Sequence, residues 1–203
     1  MSHFRRNDYR YTLSGNLKTE FGFYSSKVLP LIRRLYGLDP HLYSYRNSVF
    51  ATVYSRPLVQ FKSHEIGLPI GRKDQLLHLP KRITGQGTTQ VGSLLSGLYD
   101  ADGCVKIRKT TSGNYPRITI AQKTKGIVED VCEFLKRFGI SSTMYKNEYL
   151  DWRFGAVETR WFLDVNGFEN LEKFMKHVGS RHPVINRRVD EVRSMKPLSH
   201  SGW

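Results

Sequence analysis

The apolar positions of this chain change period several times, and each change marks an element. Residues 9–18 alternate loosely and predict a strand. Behind Ser25-Ser26, the residues Val28, Leu29, Ile32 and Leu35 fall at helical spacing, which predicts a helix starting there. Pro30 would lie in its first turn, where a missing N–H does no harm, and Gly37 would be its left-handed stop. Residues 44–54 predict one or two strands, with 49–54 the clearer part. Pro57 opens a helix over 58–64, Gly67 closes it, and the basic run Gly71-Arg72-Lys73 follows.

The second half repeats that order. A strand around Ile107 and another over 117–121 lead to a helix over 127–138. Its apolar face holds Val128, Val131, Leu135 and Phe138, and Gly139 ends it. Strands near 143–146 and 160–165 precede a helix over 168–178, with Asn166 as its cap and Gly179 as its stop. A basic helix then runs from Pro183 through Ile185, Arg187, Arg188 and Val192. Helix–Gly37–strands–helix–Gly67 thus corresponds to helix–Gly139–strands–helix–Gly179, an internal duplication of pattern. Each copy is a set of strands with helices on one side, which predicts an α+β fold of two pseudo-symmetric units, each with one sheet face open. The expected division is a first unit over 1–83, a linker over 84–93, a second unit over 94–194 and a tail over 195–203.

Between the copies lies Leu94-Leu95-Ser96-Gly97-Leu98-Tyr99-Asp100-Ala101-Asp102-Gly103. As a helix it places the small residues Gly97 and Ala101 four apart on one face, a spacing that lets a second helix backbone come close. It ends in carboxylates, against the helix dipole, and a cation would supply the missing favourable term. If Gly37 and Gly139 are equivalent, the counterpart of Asp102 falls just before Met1, so the first unit is expected to lack this helix.

Charge narrows the function. In 203 residues, 32 Lys and Arg stand against 18 acids, a net +14 with a pI near 9.9, which points to nucleic acid or an anionic membrane surface. No apolar run approaches the roughly 20 residues of a membrane span, and the first residues lack the apolar core of a secretion signal, so an intracellular, unsecreted protein is expected. Cys104 and Cys132 give no metal spacing and read as small hydrophobes. The seven histidines form no i,i+4 pair, which argues against a zinc hydrolase. Alternation in Val105-Lys106-Ile107-Arg108 puts Lys106 and Arg108 on one strand face, and in Arg117-Ile118-Thr119-Ile120 it pairs Arg117 with Thr119. Such a ribbon suits the DNA major groove. Lys109, Lys123 and Lys125 next to these strands, and Arg10 and Lys18 in the stretch 9–18, are further DNA-binding candidates.

The string 94–103 resembles the signature of the LAGLIDADG homing endonuclease family, of intron- or intein-associated type, departing from it only at Ser96 and Tyr99. The resemblance implies two motif helices packed together, here through Gly97, Leu98 and Ala101. It also implies two flanking sheets forming a saddle over the major groove of double-stranded DNA, and a divalent metal at the minor groove. Asp102 matches the metal-binding acid, with the Ala101 carbonyl beside it; Asp100 reads as a helix-end residue. The expected ion is Mg2+, or Mn2+, and the expected reaction is site-specific phosphodiester hydrolysis. Gln122 and Lys123 stand where family members carry polar residues that order the attacking water. A basic residue after the last helix of each unit is matched by Arg187 or Arg188 and by Arg72 or Lys73; Arg187 and Lys73 stand with Asp102, Gln122 and Lys123 as catalytic candidates. One visible motif in a two-unit chain departs from the family pattern. Three arrangements would reconcile them: a start upstream of Met1, a homodimer or second chain that supplies the helix, or a relative that binds DNA or intron RNA without cutting.

Overall fold

The computed structural model describes residues 9–70, 77–111, 113–152 and 155–195. The chain divides into two compact units, Met1–Ile70 and Gly71–Trp203. In the first, β1 (Arg10–Asn16) runs into α1 (Leu17–Phe23), a π-helical turn (Tyr24–Val28) and α2 (Leu29–Tyr36). Next come β2 (His41–Tyr45), β3 (Ser48–Tyr54), α3 (Arg56–Gln60) and a second π-helical turn (Phe61–Glu65). The antiparallel sheet has the order β1-β3-β2. One face holds Tyr11, Leu13, Leu42, Val49, Ala51 and Val53 in a core shared with Leu29, Ile32 and Leu58 of the helices.

The first helical segment starts earlier than Ser25-Ser26. Asn16 caps it, its side-chain oxygen accepting from the N–H groups of Lys18 and Thr19. The wide turn over Tyr24–Val28 adds a residue, and the Leu29 N–H reaches back to the Tyr24 carbonyl. That insertion sits just before Pro30, whose ring would otherwise press on the carbonyl one α-turn back. Pro30 is therefore tolerated in mid-course rather than at a helix start. Leu29 and Ile32 of the expected apolar face are buried, whereas Leu35 near the end of α2 is 58% exposed.

In the second unit, α4 (Lys81–Thr84) is followed by α5 (Thr88–Asp102), β4 (Gly103–Thr110), β5 (Gly113–Gln122) and α6 (Lys125–Arg137). Then come β6 (Thr143–Asp151), β7 (Ala156–Asn166), α7 (Phe168–His177) and α8 (Pro183–Ser194). The sheet order is β4-β5-β7-β6, all antiparallel. The expected linker 84–93 is largely helical, since α5 begins at Thr88 and already buries Val91 and Gly92. Asn166 does not cap α7. It stays in β7, and Gly167, at φ 91°, makes the turn.

The core of this unit forms where α5, α6, α7 and α8 cover one sheet face, around Leu95, Tyr99, Ile118, Val128, Leu163 and Phe174. Tyr99 lies edge-on to Phe174 at 4.9 Å. Asp130 of α6 accepts the Leu79 N–H at 2.6 Å and meets His78 Nδ1 at 3.0 Å, pinning the segment ahead of α4. Cys104 and Cys132 are free and half-buried, and burial pushes the Cys132 thiol up.

The duplication is legible strand by strand: β1–helix–Gly37–β2–β3 matches β5–α6–Gly139–β6–β7, with sheet orders β1-β3-β2 and β5-β7-β6. Among the described residues, the first unit contains no counterpart of α5 and β4.

Candidate active site and nucleic-acid interface

The motif helix α5 has two unlike sides. Val91, Leu95 and Tyr99 are buried, and Gly92 approaches α7 so closely that an added Cβ would lie 2.3 Å from the His177 carbonyl oxygen. Gly97 and Ala101 are exposed, and a Cβ on Gly97 would meet nothing within 4 Å. Leu98 is only partly available to a second helix, because it also packs on the core of its own unit. Gly103 is required by Tyr99, whose ring would sit 2.0 Å from any Cβ there. The motif's last glycine is thus a steric consequence of its aromatic residue.

The two motif carboxylates have separate surroundings. Asp100 points at the loop before α8, accepting from the Ser180 hydroxyl at 2.5 Å and from the Arg181 N–H at 3.1 and 3.2 Å. It anchors α8, as a helix-end acid should. Asp102 is exposed, and its Oδ2 accepts from Gln122 Nε2 at 2.7 Å. Gln122 is 7% exposed at the end of β5 and reaches the carboxylate from the core side of the sheet. Two of the predicted residues are therefore in direct contact. Lys123 is on the opposite face, with its ammonium 2.7 Å from Glu158, which also accepts from the Tyr149 hydroxyl. Lys125 pairs with Glu129 on the next turn of α6.

Among the described residues, no three His, Cys, Asp or Glu side chains gather as a metal cluster. What exists is one exposed carboxylate at a helix end with a backbone carbonyl beside it. That hard, sparse oxygen set fits Mg2+ or Mn2+ completed by phosphate and water. It does not fit zinc.

The sheet face away from the helices carries the cations. Register sets Lys106 opposite Arg117 and Cys104 opposite Thr119. Lys106 and Arg108 are exposed on this face, whereas alternation turns Lys109 to the other. Arg117 is held: its Nε donates to Asn166 Oδ1 at 3.3 Å, and Nη1 lies 3.2 Å from the Asp164 carboxylate. Thr119 donates its hydroxyl to the same carboxylate at 2.7 Å, so its oxygen is committed within the protein. Asp164 is 5% exposed at the centre of the face. Burial and that neighbouring carboxylate push the Tyr145 phenol up. Sequence alternation located Arg117 and Thr119 but not their shared acid, which comes from a strand 45 residues on.

The remaining candidates scatter. Arg187 is exposed on α8 and Arg188 pairs with Glu191. In the first unit, Arg10 is exposed on β1 and Lys18 on the first turn of α1. Arg72 and Lys73 lie outside the described residues.

Two antiparallel sheets with helices on one side of each, one entered from a helix ending in Asp102-Gly103, define a class: the two-unit homing endonuclease fold. The homing endonuclease I-DmoI, solved in complex with DNA and Mn, is 19% identical, with a TM-score of 0.60 over 89% of this chain and 86% of that one. A variant of I-SmaMI is 10% identical, with a TM-score of 0.50 over 95% of this chain and 88% of that one. Residues 89–179, a span that takes in most of the motif helix, match the model of the LAGLIDADG-like domain. A probable translation initiation factor IF-2 of Thermococcus kodakarensis is 26% identical over 111 residues, 55% of this chain. The chain spans only 8% of the length of that relative. No helix among the described residues is long and apolar enough to cross a membrane.

Proposed function

We propose that the chain is a site-specific, divalent-metal-dependent DNA endonuclease of homing type. The observation that carries this is the Asp102–Gln122 contact: an exposed carboxylate at the end of a motif helix, held from behind by a buried amide. Asp102 and the Ala101 carbonyl would hold the ion. When bound, a divalent cation polarises the scissile phosphate and lowers the pKa of water.

The chain's own residues do the rest. Gln122 fixes one Asp102 oxygen and leaves the other free, and its amide oxygen remains to accept from the attacking water. Lys106 and Arg108 neutralise phosphates or read guanine edges. Arg117, preset by Asp164 and Asn166, presents its outer N–H groups as a guanine reader without further ordering. Lys123, Lys125 and Arg187 add positive charge at the rim, and Arg10 and Lys18 do so in the first unit. The face of Gly97 and Ala101 takes a second helix, from a segment upstream of Met1, from a homodimer partner or from another chain. A single motif helix among the described residues also favours a second outcome, one strand cut per copy.

The test is selection of a target from a randomised duplex library, followed by cleavage with Mg2+. Asp102→Asn is expected to bind the selected duplex as the wild type does and to lose cleavage. Gln122→Ala is expected to lose about 10- to 100-fold in rate, the effect of removing a group that orients a metal ligand. Undiminished cutting by Asp102→Asn removes the assignment of the acid. A wild type that binds but never cuts leaves a DNA-binding protein.

A further inference from the structure

The sheet of the second unit ends in β6, which pairs with β7 residue for residue, from Thr143 opposite Asp164 to Asp151 opposite Ala156, without a bulge. Among the described residues no strand lies on its other side. It contains no proline, and Tyr145, Lys146, Asn147, Glu148 and Leu150 are exposed along it. On the helix side of the sheet, register sets Met144 by Leu163, Lys146 by Trp161, Glu148 by Thr159 and Leu150 by Val157. Leu163 is fully buried and Met144 packs on the same core. Leu150 and Val157, at the far end, are 62% and 68% exposed. Between these two apolar pairs, Lys146 and Glu148 are half-exposed and ion-paired at 2.7 Å.

Cross-strand contact accounts for Leu150 facing Val157. It does not account for two aliphatic side chains left together in solvent at the rim of a sheet. Charges on an edge strand normally keep other strands away. Here the two charges have opposite signs and stand two residues apart, which reverses their effect towards one particular strand, a second copy of β6. Two copies laid antiparallel about a twofold axis at Asn147 pair all nine residues of the strand. Lys146 then faces the partner's Glu148, and by symmetry the contact occurs twice. Leu150 faces the partner's Met144, so the exposed pair Val157–Leu150 runs on into the partner's covered pair. An axis at Lys146 or at Glu148 would instead set that charge against its own copy. The strand is thus self-complementary in one register.

We propose that β6 is the interface of a homodimer in which two copies join their sheets edge to edge about Asn147. The axis is perpendicular to the sheet, so the open faces of both copies look the same way. The interface uses neither Asp102 nor the Gly97–Ala101 face of α5, so it stands apart from the nuclease reading.

Sedimentation equilibrium of the full chain over the micromolar range reads the mass. The wild type is expected to rise from 23.5 kDa to twice that. Lys146→Glu sets acids face to face at both contacts, and Glu148→Lys sets cations face to face. Each variant alone is expected to dimerise roughly 10- to 100-fold more weakly. An equimolar mixture of the two restores opposite charges at both contacts and is expected to recover the wild-type mass. Both positions are exposed, and circular dichroism checks the fold. Asn147→Cys, on the axis, is expected to give a covalent dimer on mild oxidation; the wild type, whose free Cys104 and Cys132 are half-buried, is not. A wild type that stays at 23.5 kDa overturns the proposal. So does a dimer indifferent to both charge reversals, or a mixture that fails to re-form it. Retention or loss of cleavage by Asp102→Asn bears on none of these outcomes.

Discussion

Gly92 and Gly97 lie in one helix, and the same substitution should move stability in opposite directions at the two. In a helix interior, Gly→Ala gains about 0.8–1.0 kcal/mol from backbone entropy alone. At Gly97 nothing lies within 4 Å of the new methyl group, so Gly97→Ala should raise stability by nearly that amount. At Gly92 the methyl would sit 2.3 Å from the His177 carbonyl oxygen, where ordinary contact begins at 3.4 Å. Backbone cannot rotate away as a side chain can. The helix α5 must therefore retreat from α7 by roughly 1 Å, an overpacking cost of about 1–3 kcal/mol, and more when the obstacle is main chain. After the entropy gain, Gly92→Ala should be destabilised by up to about 2 kcal/mol, placing the two variants about 1–3 kcal/mol apart. Urea unfolding followed by circular dichroism gives both values, provided the slope m is unchanged. A Gly92→Ala protein as stable as Gly97→Ala would refute the close approach of α5 and α7. The pair also separates packing from function: Gly97→Ala should lower cleavage while raising stability, because the methyl intrudes only on an incoming helix.

The Tyr99 hydroxyl is buried and finds no hydrogen-bond partner among the described residues, so Tyr99→Phe should hold or raise thermal stability, by up to about 1–3 kcal/mol; a large loss would show that the oxygen is bonded. Asp100→Ala removes acceptors from Ser180 and the Arg181 N–H and should cost about 1.5–3 kcal/mol, with faster hydrogen exchange at the start of α8. Asp102→Asn, at an exposed site, should show neither effect. Burial first, then Glu20, pushes the Tyr24 phenol up to about 12 from 10. The folded state then holds this proton more tightly than the unfolded state, so stability is retained below pH 10 and falls as pH rises from 10 towards 12. Tyr24→Phe should flatten that stretch of the stability–pH curve, and an unchanged curve would exclude Tyr24 as its source.

What could be read from the sequence was what is local. The motif 94–103 is contiguous, and Gly37, Gly139 and Gly179 sit where helices stop, so the duplicated order and the open sheet faces followed from spacing. The start of the first helical segment did not, because the extra residue in the Tyr24–Val28 turn breaks the 3.6-residue period that would have joined Leu17 to Leu29. Asn166 misled for a similar reason: an Asn before a helix looks like a cap, and only the pairing of β5 with β7 shows its side chain bonded to Arg117. Asp164 carries no local signal, being an acid between the buried Leu163 and Val165. Its meaning depends on register across three strands, which periodicity does not contain. The same holds for Tyr43 and Phe50, seven residues apart and ordinary until β2 folds back on β3.

The matching sheet orders leave β1 in a different position from its counterpart. In the second unit β5 is flanked on both sides, by β4 and β7, whereas in the first β1 pairs only with β3. Among the described residues, alternate main-chain N–H and C=O groups along its outer side therefore have no ladder partner. Such an edge is a template that another extended segment can complete, in the same chain or from elsewhere. Proteins that keep a bare edge usually shield it with prolines or inward charges, and Arg10–Asn16 contains neither. At high concentration this strand is where further self-association would begin. A lysine at Leu13 would spoil its core, but one at Thr12 or Ser14 would be the conservative way to disfavour pairing at this edge.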